Sequence, residues 1–371
     1  MNWVLGTMIA PKWRRGLRGM VGPSLKRTFG AAAIATALAL PAARAEPPIM
    51  LKVVGGLAGV SQYERLEKPF WEQRISEISH GRIKAEIHAF DRSGLPGQEM
   101  LQLMHLGVVP FGTALLAVVS ADEPELNAVD LPGLNPDIAA LRQTVDAYRG
   151  HLETVLRSKF GIELLAIYAY PAQVLFCSRP FTGLNDLAGR RVRTSSVGQS
   201  EMMAALGAVP ALIPFADVVK AVRSGTVDCA ITGTLSGLEI GLSEVTSYIS
   251  PMAISWGLSL FGANAAAFHA LPADVQATLK RAIGDLEREI WDAAGQETQM
   301  GLQCDIGAAG CQGHQAGHMT LVPITAQDEE RRRQLLVSAV LPSWIQRCGI
   351  DCVTAWNETL GAKLGIRVHP E

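Results

Sequence analysis

The sequence carries none of the common signatures of hydrolytic, zinc-proteolytic or nucleotide-binding chemistry: there is no G-x-S-x-G, no H-E-x-x-H, no G-x-x-x-x-G-K-S/T and no G-x-G-x-x-G. It also lacks a strong charge of either sign, with 33 Lys+Arg against 35 Asp+Glu and a formal net charge of −2. The balance is uneven along the chain. Residues 1–45 hold seven basic residues (Lys12, Arg14, Arg15, Arg18, Lys26, Arg27, Arg44) and no acidic one, which leaves residues 46–371 with 26 basic against 35 acidic, a net of −9. A body of that charge has no electrostatic reason to seek phosphate backbones or anionic lipid, so nucleic acid is not an expected partner. At 371 residues and 48% apolar side chains, the chain is long enough for two domains and is neither disordered nor collagen-like.

Past residue 45 no segment is both free of charge and long enough to span a bilayer. The one long apolar run comes earlier, from Phe29 to Leu40, FGAAAIATALAL, after the basic start and before PAARA. It has twelve residues against the ~20 that a membrane-crossing helix needs. With Ala43 and Ala45 as the small residues of a cleavage site, residues 1–45 read as a secretory signal peptide, with translation starting at Met1 or Met20. The remainder is then expected to be exported and soluble.

All six cysteines lie in that remainder, where an oxidising compartment lets disulfides persist. Cys304 with Cys311, and Cys348 with Cys352, are close enough in sequence to close small loops, and Gly307, Gly310 and Gly349 allow the chain to bend. Disulfides are the expected state of these four. The alternatives are unpaired surface residues and a metal site, since Cys304, Cys311, His314 and His318 form C-x6-C-x2-H-x3-H, but the cysteine spacing is wider than zinc sites usually have. Cys177 and Cys229 sit in apolar, strand-like surroundings and read as small buried hydrophobes. Cys229, at a strand end, is also the candidate thiol for an enzyme, yet none of the eight histidines is assigned as its base. No catalytic residue, resident metal or cofactor is expected.

Residues 50–54 and 82–89 read as strands, with helices at 63–78 and 98–106 and an apolar strand at 111–119. That β-α-β-α-β order predicts a parallel or mixed sheet with flanking helices. A second unit follows a helix at 138–159, with strands at 163–168, 174–177, 190–194, 211–213 and 227–231 and helices at 199–206 and 216–222. From Pro272 to about Met300, Val275, Leu279, Ile283, Leu286 and Ile290 recur at helical spacing. Such a helix is ~45 Å long, enough to brace two domains. A Gly- and Cys-rich break at 301–317 and helices at 328–346 and 353–364 complete the reading.

FTGLNDLAGRRVRT, from Phe181 to Thr194, places three arginines on a short strand after a glycine turn. A guanidinium grips a carboxylate through two parallel hydrogen bonds, which lysine cannot do. Arg190 and Arg191 read as solvated charges, but alternation puts Arg191 and Arg193 on one face and spacing alone does not choose between them.

Five stretches carry a resemblance to a known family: FTGLNDLAGRRVRT, LGAVPALIPFADVVKAVRSGTVDCAITG (Leu206–Gly233), LPADVQATL (Leu271–Leu279), GRIKAEIHAFDRSGLPGQEMLQLMHLG (Gly81–Gly107) and RCGIDCVTAWNETLG (Arg347–Gly361). The chain, from about Leu51 onward, resembles the solute receptors of tripartite ATP-independent periplasmic (TRAP) transporters, of the dicarboxylate-binding DctP type. The resemblance implies an α/β fold with two lobes, mixed sheets flanked by helices and the long helix bracing both. Lobe I would comprise residues 46–170 and about 258–298, lobe II residues 171–257 and about 299–371. It assigns the carboxylate clamp to Arg193. Phe215 falls where the family packs an aromatic ring near the ligand, and Thr232 where relatives often carry an asparagine. A second arginine of some members is Gln173 here, whose amide can donate a hydrogen bond but brings no charge. Tyr168, Tyr170 and Trp256 would supply apolar walls. The implied function is a periplasmic receptor that closes on an organic acid and hands it to a TRAP permease; the alternatives are a ligand-sensing module for a signalling receptor and an exported enzyme.

Overall fold

The computed structural model describes residues 46–369. The expected signal peptide, with its two possible starts, lies outside the described residues. Eleven strands form two sheets. In the first, β1 (Ile49–Gly55), β2 (Ile83–Ala89) and β3 (Phe111–Leu115) run parallel, and β10 (Leu258–Asn264) joins antiparallel between β3 and β4 (Ile162–Ala169), giving the order β2-β1-β3-β10-β4. The second has the order β11-β9-β5-β8-β6-β7, built from β5 (Gln173–Cys177), β6 (Arg191–Thr194), β7 (Val209–Leu212), β8 (Cys229–Gly233), β9 (Tyr248–Ser255) and β11 (Thr320–Leu321). Within it β6 is parallel to both β7 and β8, while β5 runs antiparallel to β8 and β9. The fold is therefore α/β with two sheets flanked by helices, as expected. Strands β9 and β10, absent from the sequence reading, carry the chain back from the second sheet to the first through Trp256 and Gly257.

Every residue of β4 is buried, because helices cover both of its faces. One is Ile138–Phe160, opened by the Asp137 side chain accepting from Ala140 N at 2.8 Å and closed by Gly161 at φ 58°. The other is the long helix, Ala273–Asp305, whose Val275, Leu279, Ile283, Leu286 and Ile290 are buried with Trp71, Tyr168, Phe261 and Phe268. It braces both halves: Trp291 Nε1 donates to Ile167 O in β4 at 2.8 Å, and Thr298 Oγ1 accepts from Ala172 N, just before β5, at 3.0 Å.

Three local expectations are corrected. The long helix does not stop near Met300 but runs on to Asp305, and Gly301 lies inside it; a Cβ there would fall 2.2 Å from Leu235 N, so glycine is present for close packing and not as a breaker. The segment 111–119 is a strand only to Leu115, with a helical turn at Leu116–Val119. Cys177 and Cys229 are not free apolar fillers: they lie directly opposite on antiparallel β5 and β8 and form a disulfide with S–S 2.08 Å. That bond also removes Cys229 as a free thiol. Cys304–Cys311 and Cys348–Cys352 are paired as expected. Among the described residues no group of three or more His, Cys, Asp or Glu is placed to hold a metal ion.

Candidate functional site: a buried guanidinium beside the crossover

The three arginines of the glycine-turn segment have different fates. Arg190 donates to the main-chain oxygens of Asp186, Arg179 and Pro180. Arg191 forms a two-point pair with Asp228, Nε to Oδ2 at 3.1 Å and Nη2 to Oδ1 at 2.9 Å, with its side chain 48% exposed. Asp228, which also meets Arg179 at 3.1 Å, is held below the usual carboxylate range, mainly by the hydrogen bond from Arg191. Arg193 is 2% exposed. Its Nε donates to Ile213 O at 2.8 Å and its Nη1 to Ile231 O at 2.6 Å. No carboxylate pairs with it among the described residues. Burial lowers its pKa to about 10, so it stays charged at neutral pH. An unneutralised buried cation is costly, and an anion that reaches it recovers part of that cost.

The other predicted residues surround this strand unevenly. Arg193 is opposite Ala230 on β8, so alternation puts Thr232 on the same face of the sheet. Thr232 is buried. Phe215 is half-buried on the turn Phe215–Asp217, two residues beyond the carbonyl that holds Arg193 Nε. Gln173, at the start of β5, falls on the opposite face by register, opposite Gly233. Its Nε2 donates to Pro171 O and Trp256 O, both at 3.3 Å, so its donors already serve the crossover strands.

Tyr170 and Trp256 belong to those crossovers. Tyr170 N donates to Gly257 O at 3.0 Å, and the Tyr170 hydroxyl is buried, 2.8 Å from where a Cβ on Gly56 would sit. Trp256 is buried, its indole N–H donating to Asn135 O at 3.0 Å. Tyr168 packs in the core of the first half against Phe261.

The sequence reading missed the residues that tie these parts together. Asp130 is buried and accepts from Trp256 N and Gly257 N, each at 2.8 Å, fixing the return crossover; burial raises its carboxyl to about 7. Gln199 accepts from Ser195 N at 2.8 Å and donates to Ser255 Oγ at 2.9 Å, joining the end of β6 to the end of β9. Glu67 accepts from Gly56 N at 2.9 Å and Gln62 Nε2 at 2.7 Å, holding the loop after β1, and burial raises it to about 7. A lone acid inside an apolar stretch, as in NAVDLPG, is the sequence signal that could have found Asp130; Glu67, in the charged segment QYERLEKPF, carries no such signal. A separate groove of about 590 Å³, among Leu341, Ile345, Ile350, Val353 and Val368, contains none of the predicted residues.

Among the described residues no helix is long and apolar enough to cross a membrane. The chain is 24% identical over 329 residues to the C4-dicarboxylate-binding periplasmic protein DctP of Rhodobacter capsulatus, covering 88% of this chain and 95% of that one. Its fold matches the extracytoplasmic solute receptor DctP7 of Bordetella pertussis, which binds pyroglutamic acid, with a TM-score of 0.74 at 20% identity over 84% of this chain and 99% of that one. It also matches a TRAP periplasmic solute-binding protein of Pseudomonas aeruginosa with bound L-malate, with a TM-score of 0.69 at 18% identity, covering 80% and 100% of the two chains. The fold is the two-lobed one of such receptors, and these relatives are solute-binding receptors. The model of the bacterial extracellular solute-binding proteins of family 7 matches residues 58–328, and the chain belongs to that DctP family.

Proposed function

We propose that this protein is a periplasmic receptor that binds a carboxylate-containing organic acid between its lobes, with Arg193 as the clamp, and delivers it to a TRAP-type permease. The observation that carries this reading is the charged Arg193 guanidinium, 2% exposed, held by two main-chain carbonyls and paired with no acid among the described residues. Two carbonyls fix the plane of the guanidinium while its charge stays unneutralised, which is the state in which a carboxylate gains most. Thr232, on the same face, and Phe215, next to the Ile213 anchor, complete the proposed site. Tyr170, Trp256 and Gln173 act at its hinge end.

Gln173 deserves a different role from the arginine it replaces. With its N–H groups committed to Pro171 O and Trp256 O, the atom left to a ligand is its carbonyl oxygen, an acceptor. A second carboxylate finds no charge there, so one carboxylate together with an N–H or O–H donor suits the site better. Binding joins the lobes by hinge motion, and the closed form is what the permease recognises.

A thermal-shift screen over pyroglutamate, malate, succinate, galacturonate and orotate tests the reading. A ligand at 100 times its Kd adds about 2.7 kcal/mol to stability and raises Tm by several degrees. Arg193→Ala should lose that rise while the ligand-free protein still unfolds cooperatively. Equal stabilisation of the variant would remove Arg193 from the site.

A further inference from the structure

Ser61 stands where the two halves of the molecule touch. It follows β1 of the first sheet, and its backbone N–H donates at 3.0 Å to Glu239 Oε2, at the end of the helix Thr234–Glu239 that follows β8 of the second sheet. Its hydroxyl donates at 2.5 Å to Glu297 Oε1 on the long bracing helix. Ser61 is 4% exposed and Glu297 8%. One serine thus fastens two carboxyl groups, one from the opposite half and one from the brace.

The charges around this junction do not cancel. Arg65, exposed on the turn after Ser61, is the cation whose field reaches both carboxyls, and it forms no ion pair with either among the described residues. Lys68 lies 4.0 Å from Glu64, and Glu64 itself turns to Gly59 N. Glu67, one turn further on, is committed to Gly56 N and Gln62. On the long helix the nearest acid, Asp292, meets Arg142. When the halves are together, two carboxyls therefore share a small, largely buried space with no counter-ion in contact.

We propose that this Ser61–Glu239–Glu297 junction couples closure of the lobes to proton uptake: the two carboxyls are protonated while they hold Ser61 and ionise when the lobes part. The inference rests on the interlobe binding proposed above and adds its regulation. A carboxyl keeps its acceptor oxygen when protonated, so both hydrogen bonds from Ser61 survive protonation, while the repulsion between two buried anions disappears. Burial raises Glu239 to about 7 and also raises Glu297, against 4.5 for a hydrated glutamate. In the parted state water returns to Glu239 and its pKa falls back. The closed form then binds more protons than the open one between those limits, and closing becomes easier as pH drops from 8 to 5.5. An acid ligand with a lower pKa stays ionised over most of that range, so its affinity rises as the medium acidifies.

The test needs no ligand. Nitroxide labels at one exposed position of each half, read by pulsed electron resonance on the ligand-free protein, report the ratio of closed to open molecules at pH 5.5 and pH 8. That ratio should rise on the order of tenfold at the lower pH. Glu239→Gln and Glu297→Gln keep the acceptor oxygens and mimic the protonated acids. Each should populate the closed distance at pH 8 and respond less to pH, with the double variant flat. Arg193→Ala should keep the full pH response even if it loses every ligand, which separates this inference from the assignment of the clamp. A wild-type ratio equal at both pH values, or Gln variants that follow the wild type, would overturn it; circular dichroism of each variant identifies one that has not folded, in which case the remaining single variant decides.

Discussion

Two arginines two residues apart on one strand carry opposite assignments because of a residue that neither is near in sequence. Asp228 neutralises Arg191 from 37 positions away, and among the described residues nothing comparable reaches Arg193. Alternation along β6 makes the two equivalent, so the distinction was not legible from spacing; it belongs to the register between β6 and β8, which sequence alone does not display. The same limit hid Asp305. Its side chain is fully buried beside Cys304, both carboxylate oxygens lack a hydrogen bond among the described residues, and burial raises its pKa to about 8. An unpartnered acid in that place costs free energy whenever it ionises. Asp305→Asn should therefore stabilise the protein more at pH 9, where the folded aspartate must ionise, than at pH 5, where only the unfolded one has done so, by about 1–2 kcal/mol or more. Urea unfolding at the two pH values measures this, and a gain equal at both would point to packing instead of charge.

Elements were legible in proportion to how far their pattern is set by local chemistry. The long helix was visible in its five apolar positions, and the strands β1, β2, β4, β5, β6 and β8 in their alternation or apolar runs. What failed was the reading of glycine and cysteine, whose roles depend on partners across the fold. Gly301 looks like a break because glycine ends helices, yet here it admits the backbone of Thr234 and Leu235. Gly301→Ala should push the two helices apart and cost about 1–3 kcal/mol, read as a lower urea midpoint with the m-value unchanged. Cys177 and Cys229, apolar by context, are joined because β5 and β8 place them face to face. Their bond closes a separation of 52 residues beneath the strand that carries Arg193. Replacing both by Ala should cost about 3–4 kcal/mol, and a denaturation midpoint unchanged by the double substitution would show that the sheet does not depend on the bond.

At the scale of the whole molecule, two classes of acid set opposite limits on stability. Asp228 is held low by Arg191, and Glu125, Glu163 and Glu289 are also held low, with His151, Lys280 and Arg74 among the partners responsible. Their contribution exists above the unfolded carboxyl range and is lost as pH falls through their depressed values. Glu67, Asp130 and Glu239 are raised to about 7 and Asp305 to about 8, each chiefly by burial. For these the sign reverses. The folded protein binds protons that the unfolded chain has already released, so stability is fullest below the unfolded pKa and declines as pH rises through 7 and 8. Many globular proteins lose stability mainly on the acid side; this one should also lose it as pH rises from about 5 to about 8, with its maximum near the unfolded carboxyl range, about pH 4 to 5. A series of thermal melts from pH 5 to pH 9 should show Tm falling by roughly 5 °C between pH 5 and pH 8 and levelling off above, and falling by less in Asp305→Asn. A Tm that stays level to pH 9 would mean that water or internal rearrangement already relieves these acids, and the same result would weaken the case for proton-linked closure at Glu239, because that acid is raised by the same burial.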